Sequence, residues 1–253
     1  MSSTPRNSRA LIFGATGGIG SSLARRLTAA GWQLALCARG NERLKTLGEE
    51  LGAHTEVADA IDAKVVENAF SAVLEQFGQL DGVVNCCGSL LLKPAHLTTP
   101  DEWAHVIATN LTSSFNILRA AASRMMRNGG GSIVLMSSAV AQRGMINHEA
   151  IAAAKAGVVG LAQSAAATYA RYNIRVNCVA PGLTRTPLTA TLTTNEASLK
   201  ASTALHPLGR IGEPHEIASA ISWLLDPEQS WVTGQVIAVD GGLSSVQPRL
   251  ATT

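Results

Sequence analysis

Two stretches carry residues whose types and spacing suggest chemistry. The first is Gly14-Ala15-Thr16-Gly17-Gly18-Ile19-Gly20, which follows the apolar run Arg9–Phe13 and leads into a helical pattern. Backbone approaches a diphosphate closely only where no Cβ intervenes, and a helix that starts there offers free N–H groups and a positive dipole end. A structural tight turn would not need four glycines in seven residues. The second is His148, Ile151 and Lys155, three and four residues apart, which share one helical stripe. An amine and an imidazole on one face can handle protons, since an unperturbed imidazole titrates near ~6.5. The alternative for His148 is a partly exposed histidine at a helix start. A third feature is an absence. The segment Cys37-Ala38-Arg39-Gly40-Asn41, after a second apolar run, has no carboxylate of the kind that accepts the ribose hydroxyls of NAD. Arg39 instead offers a fork for a 2′-phosphate, its bland alternative being a surface-loop arginine.

These residues need a scaffold, and the pattern supplies one. Apolar runs at Arg9–Phe13, Gln33–Cys37, Thr55–Ala58, Gly82–Cys86, Ser132–Ser137, Arg175–Ala180 and Gln235–Val239 read as strands. Between them, helical patterns cover Ile19 to Gly31, Glu42–Leu51, Ala63–Phe77, one long helix over Pro100–Arg127, Glu149–Tyr172 and His215–Leu225. Such alternation predicts an α/β fold: one Rossmann-type, doubly wound, parallel, seven-stranded sheet with helices on both faces. Its ligand crevice then lies at the carboxyl ends of the strands. No linker or repeat divides residues 1–253, so one dinucleotide-binding domain is expected. Residues 1–8 and 244–253 are expected as flexible tails, and the Thr-rich stretch 187–208 as a substrate lid, either mobile loop or small helices.

Composition narrows the partners. A formal charge of +2 with no block of like charge gives no field for nucleic acid. No apolar stretch is expected to reach the roughly 20 residues of a membrane helix, and Met1 to Arg9 lacks the apolar core of a signal peptide. Cys37, Cys86, Cys87 and Cys178 show no zinc-type spacing, so no metal site is expected and packing by reduced thiols is the ordinary reading. A cytoplasmic protein follows as the default.

The glycine spacing at 14, 18 and 20 resembles that of the short-chain dehydrogenase/reductase family, in particular its 3-oxoacyl-ACP reductase-like members. The resemblance continues along the chain. Asp59 matches an adenine-contacting acid, and Asn85-Cys86-Cys87-Gly88 is similar to an N-N-A-G element with two cysteines substituted. Asn110, Ser138 and Lys155 match catalytic positions. Pro181-Gly182-Leu183-Thr184-Arg185-Thr186 resembles an element that holds the nicotinamide amide, and Val232 to Gly242 a C-terminal signature. Ordered matches over about 230 residues leave chance no role. The resemblance implies a nicotinamide cofactor held by Gly14, Thr16, Gly17, Gly18, Ile19, Gly20, Arg39, Asp59, Asn85, Cys86, Gly88, Lys155, Pro181, Gly182, Thr184 and Thr186. NADP(H) is favoured over NAD(H) by Arg39 and the missing carboxylate, although Gly17 stands where many NADP-using relatives carry a basic residue.

In this family a tyrosine four residues before the lysine delivers a proton to the substrate oxygen. Counting back from Lys155 reaches Ile151, and the interval from Ser138 agrees. Losing a positioned acid forfeits a factor of about 10²–10⁴ in rate. His148, with Ser138, is the candidate substitute. The expected function is therefore an NADP(H)-dependent oxidoreductase for a small carbonyl or alcohol with atypical proton delivery. The competing expectation is a catalytically silent nucleotide-binding protein, a sensor or partner subunit. A methyltransferase leaves the later motifs unexplained. Relatives commonly associate, which implies a homo-oligomer, dimer or tetramer.

Overall fold

The structure, a computed structural model, describes residues 8–247. Seven strands form one parallel sheet: β1 (Arg9–Phe13), β2 (Gln33–Ala38), β3 (His54–Val57), β4 (Gly82–Asn85), β5 (Gly131–Met136), β6 (Ile174–Pro181) and β7 (Val236–Val239). Their spatial order is β3-β2-β1-β4-β5-β6-β7. Both β2 and β4 pair with β1 in parallel register, Phe13 lying beside Cys37 on one side and Asn85 on the other. The chain thus winds outward from β1 in both directions, and the turn after β1 opens at the point where the winding reverses.

Alternation along the strands sends side chains to two faces. Ala10 and Ile12 of β1 join one buried cluster, with Leu23 and Leu27 of α1 (Gly18–Ala29), Leu44 and Leu47 of α2 (Asn41–Leu51), and Ile217 and Ile221 of a helix at Pro214–Leu225. Leu11 and Phe13 join the other, with Val66 and Phe70 of α3 (Ala63–Phe77) and residues of two later helices. The rings of Phe13 and Phe70 stack at 5.8 Å. Asp62 caps α3 through the Lys64 and Val65 N–H groups.

The long helix expected over Pro100–Arg127 is in fact three segments: α4 (Pro100–Ile107), a π turn at Ala108–Thr112, and α5 (Ser113–Met125). The apolar periodicity runs through unbroken, but the polar side chains compete for the helix carbonyls. Asn110 Nδ2 donates to the Val106 carbonyl at 2.9 Å and Ser113 Oγ to that of Thr109 at 2.7 Å. Such bonds to carbonyls four residues back loosen the helical ladder, and π turns concentrate at functional sites.

α6 (Glu149–Tyr169) follows β5. Contrary to expectation, the stretch Glu149–Tyr172 is long and apolar enough to cross a membrane by length and composition. Its alanine-rich face packs instead against the sheet, with Val158, Ala162, Ala165 and Ala166 buried. After β6, residues 187–208 form small helices: a 3₁₀ turn at Pro187–Thr189, α7 (Ala190–Thr193) and α8 (Glu196–Leu205). α9 (Pro214–Leu225) then precedes β7. Most of the expected tails lies outside the described residues. The described parts are anchored: Ser8 is buried, its carbonyl accepting from Gln33 N–H, and Ser244 donates through its N–H and Oγ to the Asp240 carboxylate.

Candidate active site

Two cavities meet at the carboxyl ends of the strands. The larger, about 440 Å³, runs from the glycine turn past Arg39 and Asp59 to Cys86, Cys87 and Gly88. The second, about 270 Å³, continues from Cys86 to Gly88 past Asn110, Ser138 and Lys155 and ends under the helices of 187–208. They share Ile19, Gly88 and Thr186 among their walls, so they form one crevice.

The glycine turn leaves room only because it lacks side chains. A Cβ on Gly20 would stand 2.3 Å from the Gly14 carbonyl oxygen, and one on Gly14, whose φ is +72°, would meet the Cys86 carbonyl carbon at 2.7 Å. A Cβ on Gly18 would strike Thr186 at 2.8 Å, which shows how closely the segment after β6 seals the turn. No side chain caps α1, and its first turn holds no acid. Its leading N–H groups therefore face the crevice unspent, an arrangement suited to a diphosphate. At the end of β2, Arg39 and, one helical turn on, Arg43 both line the same cavity. Sequence reasoning found Arg39 but missed Arg43, whose position on α2 is ambiguous until that helix is placed. Asp59 reaches the wall too, one carboxylate oxygen accepting from Ile61 N–H at 3.2 Å.

Asn85 departs from its expected role of touching the nucleotide. It is buried and lines neither cavity. Its Nδ2 donates to Ser114 Oγ at 3.0 Å and Ser113 Oγ at 3.3 Å, while Oδ1 accepts from Cys87 N–H at 2.9 Å. It holds the turn after β4 against α5, and only the following residues meet the crevice. Burial pushes the thiols of Cys86 and Cys87 up to about 12, so both remain protonated near neutrality, as does Cys178, raised to about 12 for the same reason.

At the reacting end, α6 is clamped to the end of β5 twice. Lys155 Nζ donates to the Met136 carbonyl at 2.8 Å, and Ser137 Oγ donates to the Lys155 carbonyl at 3.0 Å. Burial pulls the Lys155 ammonium down to about 8, with the sulfurs of Cys178, Cys87 and Cys86 acting weakly in the other direction. Gly88 sits over both Asn110 and Lys155: a Cβ there would lie 3.2 Å from Asn110 Oδ1 and 3.7 Å from Lys155 Nζ. Asn110, fully buried, spends its amide on position. Besides Val106, it donates to Ser89 Oγ at 3.0 Å and accepts from Ser89 N–H at 3.2 Å, fixing the loop that follows Gly88. Ser138 Oγ accepts a long bond, 3.4 Å, from Val140 N–H, which leaves its proton for a ligand.

His148, Ile151 and Lys155 do line one cavity, as their spacing predicts. Ile151 is 3% exposed, packed with Val106, Ala150 and Ala154 in an apolar wall. His148 precedes α6 with Nδ1 2.7 Å from the Ile146 carbonyl oxygen, so that nitrogen carries hydrogen and Nε2 is left for other partners. Pro181, Gly182 and Thr184 line the second cavity, and Thr186 lines both. The site also holds a residue that sequence reasoning missed. His206 is buried at the end of α8, its Nδ1 2.7 Å from the Ser202 carbonyl and its Nε2 accepting from Leu183 N–H at 3.2 Å. It is therefore neutral with Nδ1 protonated, and it ties the 187–208 helices to the loop after β6. Nothing in the local pattern marks it, because its partners are 4 and 23 residues away.

The sequence profile of a family described as enoyl-(acyl carrier protein) reductase matches residues 14–244. The 3-oxoacyl-[acyl-carrier-protein] reductase FabG of Vibrio cholerae is 33% identical over 240 residues, covering 92% of this chain and 96% of that protein. The chain belongs to the short-chain dehydrogenase/reductase family. A tropinone reductase homolog of Arabidopsis thaliana is 36% identical over 241 residues, 93% of this chain and 92% of its own length. Among solved structures, an actinorhodin polyketide ketoreductase variant with NADPH superposes with a TM-score of 0.91 at 32% identity, covering 97% of this chain and all (100%) of that one. A levodione reductase superposes with a TM-score of 0.90 at 32% identity over 95% and 98%. The seven-stranded parallel sheet is thus the sheet of this oxidoreductase family.

Proposed function

We propose that this short-chain dehydrogenase/reductase is an NADP(H)-dependent oxidoreductase acting on a carbonyl or alcohol, with proton delivery that does not use a tyrosine. The observation that carries the reading is the single crevice joining the bare glycine turn, flanked by Arg39 and Arg43, to Ser138 and Lys155. Two guanidiniums and no carboxylate at the end of β2 suit a 2′-phosphate, and the solved ketoreductase relative carries NADPH. A bound nicotinamide supplies the hydride chemistry. This chain's own residues bind, orient and handle the proton. The N–H groups of α1 and the glycine turn take the diphosphate, Asp59 the adenine end, and Lys155 the ribose hydroxyls. Ser138 Oγ donates to the substrate oxygen as charge gathers on it, and His148, on the same cavity wall with its Nε2 unengaged, returns a proton.

The second reading, a silent nucleotide-binding protein, is favoured by one observation: the wall at Ile151 is apolar and offers no donor. Titration with NADPH and NADH followed by turnover assays separates the two. Turnover by the native chain establishes the enzyme. Tight NADPH binding with no turnover across a carbonyl panel, and activity gained by Ile151→Tyr, establishes the silent protein. We further propose a cytoplasmic homo-oligomer. The half-exposed Trp103 and Phe115 on α4 and α5 are the apolar side chains suited to such contacts, and sedimentation checks the oligomeric state.

A further inference from the structure

The small helices over residues 187–208 have almost no core of their own. Only Thr193 and His206 are buried in that stretch, and α8 contributes no buried side chain. So few buried contacts leave a segment free to open unless something ties it down. Thr193 bonds within the segment, its Oγ1 donating to the Ala190 carbonyl at 3.5 Å. His206 bonds across it. Its Nδ1 donates to the Ser202 carbonyl in the last turn of α8, and its Nε2 accepts from Leu183 N–H in the loop after β6.

Two glycines make room for the ring. A Cβ on Gly182 would stand 2.8 Å from His206 Nε2, and one on Gly241 would stand 3.6 Å from the His206 Cβ and 3.7 Å from its Cδ2. The turn after β7 also holds the backbone that follows, Leu208 N–H donating to the Gly241 carbonyl at 3.1 Å. Asp240 is close by, its Cα 2.9 Å from the same added Cβ on Gly182. Its carboxylate is taken by Gly242 N–H and by the N–H and Oγ of Ser244. The imidazole therefore joins α8, the loop after β6 and the turn after β7, and it spends both nitrogens on backbone groups.

The loop so held borders the path of the nucleotide. With a diphosphate on the glycine turn and a 2′-phosphate at Arg39 and Arg43, the other half of a dinucleotide runs the opposite way, past Gly88 into the inner cavity. Thr186 closes on the glycine turn, 2.8 Å from where a Cβ on Gly18 would be, and Gly182, Leu183 and Thr184 line the inner cavity together with Ser202 and His206. We propose that His206 is a positioning residue, its bond to Leu183 N–H holding residues 182–186 in the shape that receives the nicotinamide half of the nucleotide. The inference rests on the reading of the crevice as a nicotinamide-nucleotide site. Without that bond the loop is competent for only part of the time, and the apparent affinity falls by that fraction. The adenine half, beside Arg39, Arg43 and Asp59 in the outer cavity, does not depend on it.

The test titrates the full chain, His206→Leu and His206→Gln with NADPH and with 2′,5′-ADP, which carries the adenine half and its 2′-phosphate but no nicotinamide. Leucine removes both bonds, whereas the glutamine amide oxygen restores an acceptor near the place of Nε2. The expected result is that His206→Leu weakens NADPH by about 10-fold or more and leaves 2′,5′-ADP within a factor of about two. His206→Gln recovers most of the NADPH affinity. Hydrogen exchange on the nucleotide-free chain reads the same bond without a ligand: in His206→Leu the amides of residues 183–186 and of α8 exchange about 10-fold faster or more, and those of the sheet are unchanged. Equal losses for both ligands, an unchanged NADPH affinity, unchanged exchange, or a His206→Gln as weak as His206→Leu overturns the inference and leaves the nucleotide reading intact. A native chain that binds neither NADPH nor NADH overturns both. If His206→Leu does not fold, as judged by circular dichroism, His206→Asn takes its place under the same criteria, since it keeps a donor for the Ser202 carbonyl but is too short to reach Leu183 N–H.

Discussion

Lys155→Met is the perturbation with the most to say about the site. The native side chain is 7% exposed, donates to the Met136 carbonyl at 2.8 Å, and has its pKa pulled by burial from 10.5 to about 8. Below pH 8 both folded and unfolded chains hold the proton, and the folded state carries the whole cost of the buried charge. The gap of about 2.5 units (10.5 less about 8) corresponds to roughly 3 kcal/mol at 1.36 kcal/mol per unit. Between pH 8 and 10.5 the unfolded chain still binds a proton that the folded chain has released, so stability rises with pH there. Cys86, Cys87 and Cys178 act in the opposite sense. Their folded values near 12 exceed the ordinary 9.0, so above pH 9 the unfolded chain loses protons first and stability falls. The useful window is therefore pH 7 to 9, over which Lys155 contributes a rise of roughly 1 kcal/mol. Methionine keeps a similar length without charge or titration, and it forfeits a hydrogen bond worth about 1 kcal/mol at every pH. Urea unfolding of nucleotide-free native and variant chains at pH 7, 8 and 9 gives the difference directly. The native chain gains roughly 1 kcal/mol on the variant across the window. A native stability that stays level with, or falls relative to, that of the variant as pH rises refutes the account of Lys155 as a buried ammonium.

The other predictions address separate parts of the crevice. Gly20→Ala forces a Cβ to 2.3 Å from the Gly14 carbonyl oxygen; overpacking of this kind costs about 1–3 kcal/mol, or about 2–4 °C in Tm for each kcal/mol in a chain of this size, and nucleotide binding by fluorescence titration is lost with it. Arg39→Ala combined with Arg43→Ala weakens NADPH by about 10-fold or more and leaves NADH within a factor of about two. Equal losses for both nucleotides remove the 2′-phosphate assignment. Asn110→Ala strips the partner from Ser89 N–H and empties a fully buried site, so denaturant unfolding shows a loss of about 2–4 kcal/mol. His148→Ala leaves nucleotide affinity unchanged and lowers turnover of an accepted substrate by about 10-fold or more if its imidazole returns the proton; an unchanged rate takes His148 out of the chemistry.

Much of this protein is decided by local pattern. Runs such as Leu11 to Phe13 and Val83–Val84 are apolar on both sides because a parallel sheet covered by helices buries both faces, and that alone establishes the layered, doubly wound architecture. The turn at Gly14 to Gly20 is legible for the same kind of reason, since the close approach of its own backbone admits no Cβ at position 20. The shared face of His148, Ile151 and Lys155 follows from helical spacing, and the missing acid after β2 needs no coordinates.

What sequence could not settle depends on partners far along the chain. The break at Ala108–Thr112 is invisible to periodicity because the apolar stripe continues through it, and it arises from side chains turning back onto carbonyls. Asn85 reads as a crevice residue from its place after β4, yet Ser113, Ser114 and Cys87 draw its amide inward. Arg43 becomes a wall of the cavity only once α2 has docked on β2, and His206 gains its tautomer from Ser202 and Leu183. The shift at Lys155 is likewise a property of the closed fold, since its burial, with Nζ held on the Met136 carbonyl at the end of β5, removes the water that would solvate the charge. Local propensity and spacing act through a few neighbouring residues, whereas hydrogen-bond satisfaction and desolvation are settled by whatever the folded chain brings alongside.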